Sequence, residues 1–317
     1  MHIVLKTVSI LSILCLELCY GETSEDTIRQ AIFDCWLGKC KMPATLKESY
    51  DKCKVANGTG TKWDMPLPYI FEPSFNEEHR KIVHKAIATI ESKTCIRFKE
   101  LTDFKSAVFP YLKVKYIDNS KICGVSAMGV VEQFYSKPAL LAVSTAEVCN
   151  ITTAVYHELM HVLGLPHPFI RPDRDNYITI NWPNVNPRDV CNLKAIGDAD
   201  SYIPLRNFNG EKYDFDSVLN YKTFSYAINE DIPTMIAKDS NFLNVVPLSN
   251  RLGRAPDFSD VDIRLLNKKY CTEPDCKDTE YMCSVYALQG KCKEEGMAKR
   301  CPNSCGLCKI VKGPQAE

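Results

Sequence analysis

The sequence predicts an α+β protein that ends in a small disulfide-rich module. In residues 63–271, short apolar runs typical of strands alternate with longer stretches that have helical spacing. Residues 183–215 are rich in Asn, Asp, Pro and Gly, which favours irregular structure. Residues 276–308 contain six cysteines in a segment too short to bury a sufficient core, so disulfides must hold it together.

The composition narrows the class of protein. The chain has 317 residues, 45% of them hydrophobic, which is enough for one main domain with small additions. Its formal net charge is zero and its pI is near 7.0, so no electrostatic argument supports binding to nucleic acid or to an anionic membrane. Sixteen cysteines in a chain of this size indicate an oxidising compartment.

Residues 1–21 have the pattern of a secretory signal peptide. His2 and Lys6 precede an apolar run, Thr7–Leu16, that is too short to span a membrane and is followed by small residues suited to cleavage. The alternative, a membrane anchor, needs a longer run than Glu17 permits. No later stretch resembles a transmembrane segment, so we expect a secreted, extracellular protein.

Residues 22–62 form a polar N-terminal segment before the main domain. Its three cysteines are Cys35, Cys40 and Cys53. The segment contains the glycosylation sequon Asn57-Gly58-Thr59, and the main domain contains a second one, Asn150-Ile151-Thr152. We therefore expect glycans at Asn57 and Asn150.

The main domain is predicted to combine four strands with three helices. The strands are Tyr69–Phe71, Thr94–Phe98, Tyr111–Tyr116 and Ala139–Val143. The helices are Asn76–Ser92, a helix through Ala154–Leu163 that Thr152 or Thr153 would cap, and a final helix that opens at Asp257–Asp262 and ends at Cys271.

The second of these helices carries an HExxHxxGxxH pattern. His157 and His161 are four residues apart, so both imidazoles project from one helix face, where two ligands of one tetrahedral metal must lie. Gly164 permits a sharp turn that brings His167 back as a third ligand and leaves a fourth position open for water. Zinc held in this way lowers the pKa of its water to about 7, and Glu158 is placed to take the proton as that water attacks an amide carbonyl.

The simpler interpretation is a chance match, because a bare HExxH also occurs in unrelated helices. Only six histidines occur in the sequence, however, and three of them fall in this window with Glu and Gly correctly placed. His79 and His84 are five residues apart, which is wrong for shared ligation, so we expect surface or core-edge roles for them. The pattern therefore predicts one catalytic zinc ion.

Beyond the zinc motif, the chain resembles the astacin family of metzincin endopeptidases from about Trp63 to Cys271. The resemblance rests on His157–His167, on Arg171–Tyr177 with Ile180–Trp182, and on Asp216–Tyr221, which matches the position and frame of the metzincin methionine turn. It implies an upper subdomain of twisted mixed sheet with helices, a largely irregular lower subdomain and a substrate cleft between them. It also implies that Tyr221 hydrogen-bonds the oxyanion, and that Ala139–Val143 is the edge strand that pairs with an extended protein or peptide substrate.

The chain departs from the family at the turn and beside the third ligand. Leu219 replaces the usual Met and Asn220 the usual His; Leu roughly conserves the apolar volume, so we expect the turn to survive. Pro168 stands where astacins carry a glutamate that pairs with the freed N-terminus of the mature enzyme.

A second feature that controls activation in astacins, the inhibitory aspartate ahead of the catalytic domain, is also missing. No Phe-x-Gly-Asp sequence, which supplies the inhibitory aspartate in the family, and no dibasic site precede Trp63. We therefore hypothesise that residues 22–62 stay attached to the body by a disulfide. The alternative is that a cysteine of this segment caps the zinc.

Cysteine arithmetic agrees with this organisation. Removal of the signal leaves 14 of the 16 cysteines, and the astacin resemblance implies the pairs Cys95–Cys271 and Cys123–Cys149. The C-terminal cysteines resemble those of the ShKT module found in sea-anemone toxins and many nematode secreted proteins. Spacing alone allows fifteen pairings; the resemblance implies Cys276–Cys308, Cys283–Cys301 and Cys292–Cys305. Cys35, Cys40, Cys53 and Cys191 remain, so one bridge is expected to join the N-terminal segment to the body, with the partner of Cys191 left open.

These patterns predict a secreted zinc metalloendopeptidase with a ShKT module and a nine-residue tail, 309–317. The alternative is a binding protein on a protease scaffold that acts through its cleft and its ShKT module. A toxin-like channel ligand is disfavoured because Lys299-Arg300 stands where the toxins carry a Lys-Tyr pair, so an extracellular matrix or protein partner is expected for the module. The sequence does not identify the substrate.

Overall fold

The computed structural model describes residues 24–53, 62–119, 122–126, 128–130, 132–195, 208, 210–239, 242–273, 276–280 and 282–311. The predicted signal peptide and the Asn57 sequon lie outside these residues. Among the residues that are described, no helix combines the length and the apolar character needed to cross a membrane.

Eight α-helices and seven strands are present in the described residues. The helices are α1 (Ser24–Trp36), α2 (Ala44–Lys52), α3 (Glu77–Lys93), α4 (Ile151–Val162), α5 (Phe242–Arg251), α6 (Asp260–Tyr270), α7 (Cys283–Leu288) and α8 (Met297–Arg300). The strands are β1 (Leu67–Phe71), β2 (Phe98–Glu100), β3 (Leu112–Ile117), β4 (Gly124–Ser126), β5 (Ala139–Ser144), β6 (Ile178–Ile180) and β7 (Met235–Ala237).

A five-stranded sheet with the order β2-β1-β3-β5-β4 forms the upper subdomain. Four strands run parallel, and β4 pairs antiparallel with β5. In β3, Leu112 and Val114 are buried, whereas Lys113 and Lys115, which alternate with them, are only partly buried; this is the period of two expected for a strand with one covered face. The core beneath the sheet includes residues of α3 and α4, so the predicted α+β fold with a mixed sheet and helices is confirmed.

The strand predicted at Thr94–Phe98 begins only at Phe98. Thr94 is instead the C-cap of α3, and its hydroxyl donates to the Ile90 carbonyl over 2.7 Å. The Arg97 guanidinium donates to the carbonyls of Thr94 and Ile96 over 2.9 and 2.7 Å. These side-chain bonds to the backbone end the helix and turn the chain, which delays strand pairing to Phe98.

The prediction that Ala139–Val143 is the edge strand is wrong. β4 covers the outer side of β5, with Val125 opposite Ala142, and is itself the last strand of the sheet. The disulfide Cys123–Cys149 and a bond from the Ser144 amide to the Cys123 carbonyl hold β4 in place. A three-residue strand that contains a glycine is too short for its alternation to be read from sequence.

The lower subdomain has little regular structure, as predicted. Its two-stranded sheet pairs β6 with β7 antiparallel. Short 3₁₀ helices occupy Pro168–Ile170, Arg174–Asn176, Trp182–Asn184 and Val190–Leu193. A second core cluster lies here and includes Phe169, Ile178 and Tyr213.

The C-terminal module is fastened to the main domain at several points. Its disulfides are Cys276–Cys308, Cys283–Cys301 and Cys292–Cys305. A β-bridge joins Thr272 to Ile310, and the Val311 amide donates to the Cys271 carbonyl over 2.7 Å. The backbone of Gly210 lies so close to the module that a Cβ atom there would be 2.7 Å from the Ala287 side chain.

Candidate metal centre and active site

Helix α4 carries the first two predicted ligands and has well-defined ends. Its N-cap is Asn150, whose side-chain oxygen accepts from the Thr153 amide over 3.0 Å, so the expected Thr152 or Thr153 cap is wrong. Asn is among the best N-cap residues because its short side chain reaches the N3 amide. At the other end, Gly164 has φ +82°, and the Leu165 amide donates to the Met160 carbonyl, which completes a Schellman turn.

Side chains from distant segments bind the last carbonyls of this helix. The Trp63 indole donates to the Val162 carbonyl over 2.8 Å. From α6, the Tyr270 hydroxyl donates to Leu163 over 3.1 Å and the Lys269 ammonium to Gly164 over 2.8 Å. These bonds satisfy carbonyls that a helix end leaves without partners, and they hold the turn from which the chain returns to His167.

The three predicted ligands converge on one point. The Nε2 atoms of His157, His161 and His167 form a triangle with sides of 3.1, 3.1 and 3.0 Å. Among the described residues they are the one group of His, Cys, Asp and Glu side chains close enough to hold a metal ion. Zinc–nitrogen bonds of about 2.0–2.1 Å at tetrahedral angles separate ligand nitrogens by about 3.3 Å, so the triangle is close to what zinc needs.

Hydrogen bonds fix two of the imidazole tautomers. The Nδ1 atom of His157 lies 2.8 Å from the Val218 carbonyl, and that of His161 lies 2.7 Å from the Leu165 carbonyl. A carbonyl can only accept, so each Nδ1 carries the proton and each Nε2 presents a lone pair to the centre. Burial lowers the pKa of all three imidazoles, that of His161 to about 3. Neutral nitrogens whose lone pairs face one another suit a cation, and the donor set fits zinc.

The Glu158 side chain lies beside this centre against strand β4. It is 6% exposed, and its Oε2 accepts a hydrogen bond of 2.6 Å from the Ser126 hydroxyl. Burial raises the pKa of the Glu158 carboxyl to about 7, and the Ser126 hydrogen bond opposes that rise. A carboxylate with such a pKa suits a general base that works near neutral pH.

The Tyr221 ring packs against two of the three histidines. It stacks on His157 with centroids 5.6 Å apart and meets the His167 ring edge-on at 4.6 Å. Burial raises the pKa of the Tyr221 hydroxyl, and interaction with the Tyr226 hydroxyl opposes that rise. The phenol therefore stays protonated at neutral pH and is able to donate a hydrogen bond to a developing oxyanion.

The two replaced residues of the turn beneath the centre are both buried. Leu219 is 2% exposed and packs in the upper core. Asn220 is also buried; its amide donates to the Asp214 carbonyl over 2.6 Å, and its oxygen accepts from the Tyr213 hydroxyl over 3.0 Å. The residue that replaces the family histidine thus has its own buried partners, which satisfy its polar atoms.

A carboxylate from α6 secures this turn. Asp262 is 1% exposed and accepts from the Ser217 hydroxyl over 2.7 Å and from the Val218 amide over 3.1 Å. Asp262 also forms a reciprocal capping box with Ser259 at the start of α6. Because the Val218 carbonyl binds His157, Asp262 orients a metal ligand through the turn.

The segment after the third ligand is held by two buried arginines. Arg171 forms a two-pronged ion pair with Asp173, with N–O distances of 2.7 and 2.8 Å. Arg174 donates to the Phe169 carbonyl over 2.9 Å. Pro168 begins a 3₁₀ helix directly after His167 and brings no carboxylate to this place.

Other candidate ligands lie elsewhere. His79 Nδ1 lies 2.6 Å from the Tyr116 hydroxyl, and His84 Nε2 lies 2.8 Å from a Glu100 oxygen. The cysteines of the N-terminal segment are in the pairs Cys35–Cys40 and Cys53–Cys191, so none of them offers a thiolate to the metal centre. The alternative of a cysteine cap on the zinc is therefore wrong.

Three residues that shape the site were not found from the sequence: Gly124, Ser126 and Asp262. Each acts on a residue more than 30 positions away, such as Ser126 on Glu158 across 32 positions and Asp262 on Val218 across 44. No local motif contains such a pair. The spacing of Ser259 and Asp262 could have predicted the capping box at the start of α6, but not the contact of Asp262 with the turn at Val218.

Known protein families match two separate parts of the chain, the main domain and the C-terminal module. Residues 55–271 match the peptidase family described as Astacin, and residues 275–308 match the ShK domain-like family. Zinc metalloproteinase nas-11 of Caenorhabditis elegans is 35% identical over 258 residues, which are 79% of this chain and 42% of the relative. Zinc metalloproteinase nas-10 of the same organism is 30% identical, over 86% of this chain and 48% of the relative.

The chain thus spans less than half the length of these two relatives. Among solved structures, high choriolytic enzyme 1, a hatching enzyme zinc-protease from the medaka fish Oryzias latipes, aligns with a TM-score of 0.51 at 22% identity. The alignment covers 68% of this chain and 97% of that one, and it shows a shared fold. The family match over 55–271 and the histidine triad lead to one conclusion: the chain belongs to the astacin family of zinc metallopeptidases and carries a ShK module.

Proposed function

We propose that the chain is a secreted zinc endopeptidase that hydrolyses peptide bonds of extracellular proteins. The observation that carries this proposal is the convergence of three imidazole Nε2 atoms, 3.0–3.1 Å apart, beside the carboxylate of Glu158. Secretion is supported by the signal-like pattern of residues 1–21 and by seven disulfides among the described residues.

His157, His161 and His167 would hold the zinc ion. When bound there, zinc supplies Lewis acidity, which activates a water molecule and polarises the scissile carbonyl. Glu158 takes the proton of the attacking water and delivers it to the leaving amine. The Tyr221 hydroxyl donates to the oxyanion as the carbonyl carbon becomes tetrahedral.

The substrate is proposed to bind as an extended strand along β4. β4 is the outermost strand of the sheet, and an edge strand offers backbone donors and acceptors to a further strand. Gly124 in this strand lies directly against the Glu158 carboxylate. A peptide paired with β4 would therefore pass close to the general base. Because strand pairing uses main-chain hydrogen bonds, the site would recognise the substrate backbone more than its side chains.

The proposal is tested by hydrolysis of a denatured protein by the purified full chain. We expect activity that disappears when a chelator removes zinc and returns when zinc is added back, because three neutral histidines provide the metal site. Zinc content is measured in parallel. One bound zinc without hydrolysis would favour the binding-protein alternative, in which the cleft and the ShK module bind without cutting.

The N-terminal segment is proposed to be a retained part of the lower subdomain. Leu46 of α2 packs in the lower core cluster, and Ala31 of α1 packs with Ile236 and Val245. The Lys194 ammonium donates to three carbonyls at the end of α2, those of Tyr50, Asp51 and Cys53, over 2.9–3.2 Å. The disulfide Cys53–Cys191 adds a covalent link. A segment that completes a core in this way is expected to stabilise the domain.

Replacement of residues 56–60 by a specific protease site tests this retention. After cleavage, we expect residues 22–55 to stay with the body on a non-reducing gel and the rate of hydrolysis to change less than twofold, because disulfide and core contacts remain. The uncleaved variant and protease-treated wild type are the controls. A natural mature chain that begins between Lys54 and Trp63 and has lost residues 22–53, or a tenfold rise in activity after the cleavage, would contradict the proposal.

Asn150 is proposed to carry a glycan. It is exposed at the start of α4, and its side-chain oxygen is used as the helix cap. A glycan would attach to the nitrogen, so the cap and the sugar are compatible. The predicted matrix or protein partner of the ShK module stays a prediction.

A further inference from the structure

Two alternate residues of β4 face the general base. Successive side chains of a strand point to opposite faces, so Gly124 and Ser126 share one face. Both lie against Glu158, whereas Val125 between them is 49% exposed. This face of β4 is therefore directed at the Glu158 carboxylate.

The Ser126 hydroxyl has one proton and two acceptors within reach. Its Oγ lies 2.6 Å from Oε2 of Glu158 and 3.1 Å from the Glu158 backbone carbonyl. The shorter contact to the carboxylate is a charge-assisted hydrogen bond when the group is ionised. Within the described part of the chain, the carboxylate accepts from this hydroxyl alone.

Gly124 determines the place of the other carboxylate oxygen. A Cβ atom on Gly124 would lie 2.5 Å from Oε1 and 2.7 Å from Cγ of Glu158. Any side chain here would push the glutamate away, so the missing Cβ makes the space that the carboxylate fills. Gly124 leaves space for Oε1, and Ser126 binds Oε2. Together the two residues define the positions of both carboxylate oxygens.

We infer that Ser126 is a positioning residue for Glu158. The strand β4 thereby has two roles, because it orients the base and also pairs with the substrate. The inference rests on the proposed peptidase function. A glutamate side chain has several rotatable bonds, and a base must lie within hydrogen-bond reach of the proton it removes. The Ser126 hydroxyl holds Oε2, and Oε1 has no hydrogen-bond donor among the described residues, so Oε1 is the oxygen left to accept the proton of the water.

Ser126→Ala in the full, zinc-loaded chain tests this role. We expect kcat to fall about 10- to 30-fold, part of what general-base catalysis contributes, while KM and zinc content stay within about twofold. Ser144→Ala is the matched control. Ser144 is buried in the adjacent strand β5, and its hydroxyl donates to the Asn119 carbonyl rather than to Glu158. A general effect of losing a serine hydroxyl would lower kcat equally in both variants and would overturn the inference.

A second measurement does not depend on activity. Crystal structures of the zinc-loaded wild type and Ser126→Ala are expected to show the Glu158 carboxylate in one orientation in the former and displaced or in several orientations in the latter. Gly124→Ala should displace it from the other side. An unmoved carboxylate in Ser126→Ala refutes the inference. Failure of the proposed function is distinct, since the wild type itself would then show no chelator-sensitive hydrolysis.

Discussion

Replacement of Glu158 by Gln is expected to lower kcat by about 10²- to 10⁴-fold, the usual contribution of a general base. The amide keeps the shape of the side chain and its oxygen still accepts from Ser126, which lies 2.6 Å from the carboxylate in the native chain. It has no basic oxygen to take the proton of the attacking water. Since Glu158 is not one of the three histidine ligands, bound zinc should stay at the wild-type level.

The measurement is kcat for steady-state hydrolysis of a quenched fluorescent peptide, and the zinc content per chain is measured by atomic absorption. Glu78→Gln is the matched control, because Glu78 lies on the exposed side of α3, where it pairs with Lys81 at the surface. We expect that control to retain full activity. If Glu158→Gln keeps more than a tenth of the wild-type kcat, another group is the base.

Asp262→Ala is expected to destabilise the protein by about 3 kcal/mol, because it removes the acceptor of buried donors. The Ser217 hydroxyl and the amides of Val218 and Ser259 would all lose their partner. The same change releases the amide of Val218, the turn residue whose carbonyl orients His157, so zinc affinity should fall about 10- to 100-fold. Chemical denaturation measures the first effect, and competition with a chromogenic chelator the second.

Asp262→Asn separates the geometry of this group from its charge. The amide retains one acceptor oxygen, so we expect a smaller loss of stability than in Asp262→Ala. Ser217→Ala is a further comparison, because it leaves the Asp262 carboxylate in place but removes the donor of the 2.7 Å bond and the acceptor of the Leu219 amide. Equal stability of wild type and Asp262→Ala would show that this carboxylate does not support the turn.

The pH dependence of stability gives another test of Asp262. Burial raises the pKa of its carboxyl to about 6, and the nearby Asp214 adds to that rise. The folded state therefore holds this proton more tightly than the unfolded state. Its stabilising contribution is complete below about pH 4 and is lost as the pH rises to about 6, with a slope of up to about 1.4 kcal/mol per pH unit. The difference in unfolding free energy between wild type and Asp262→Asn should change over that interval and be flat above it.

The metal ligands were predictable because their geometry is local. His157 and His161 are one helical turn apart, and Gly164 adopts the positive φ that a helix-ending turn needs. His167 follows three residues later, so the ligand triangle depends on one helix and one turn. Asn150 was missed as the cap because several polar residues near a helix start compete for that role, and only backbone geometry decides among them.

The order of strands was not predictable. β4 reaches the sheet edge through a pairing with β5 and through the bond from the Ser144 amide to the Cys123 carbonyl. These contacts join residues that are 15 or more positions apart, and a three-residue strand has no periodicity of its own. The expectation that β5 was the edge strand failed for this reason.

The fold class, the zinc-binding histidines and the two-part organisation were predictable from the residues alone, because helical spacing, turn residues and cysteine clusters act over short stretches of chain. The folded chain was needed to identify the carboxylate that secures the turn below His157, the cysteine that pairs with Cys191, and the residues that face Glu158. Each of these is a contact between distant segments, chosen by how whole elements pack. Backbone and side-chain packing of that kind has no signature within either segment alone.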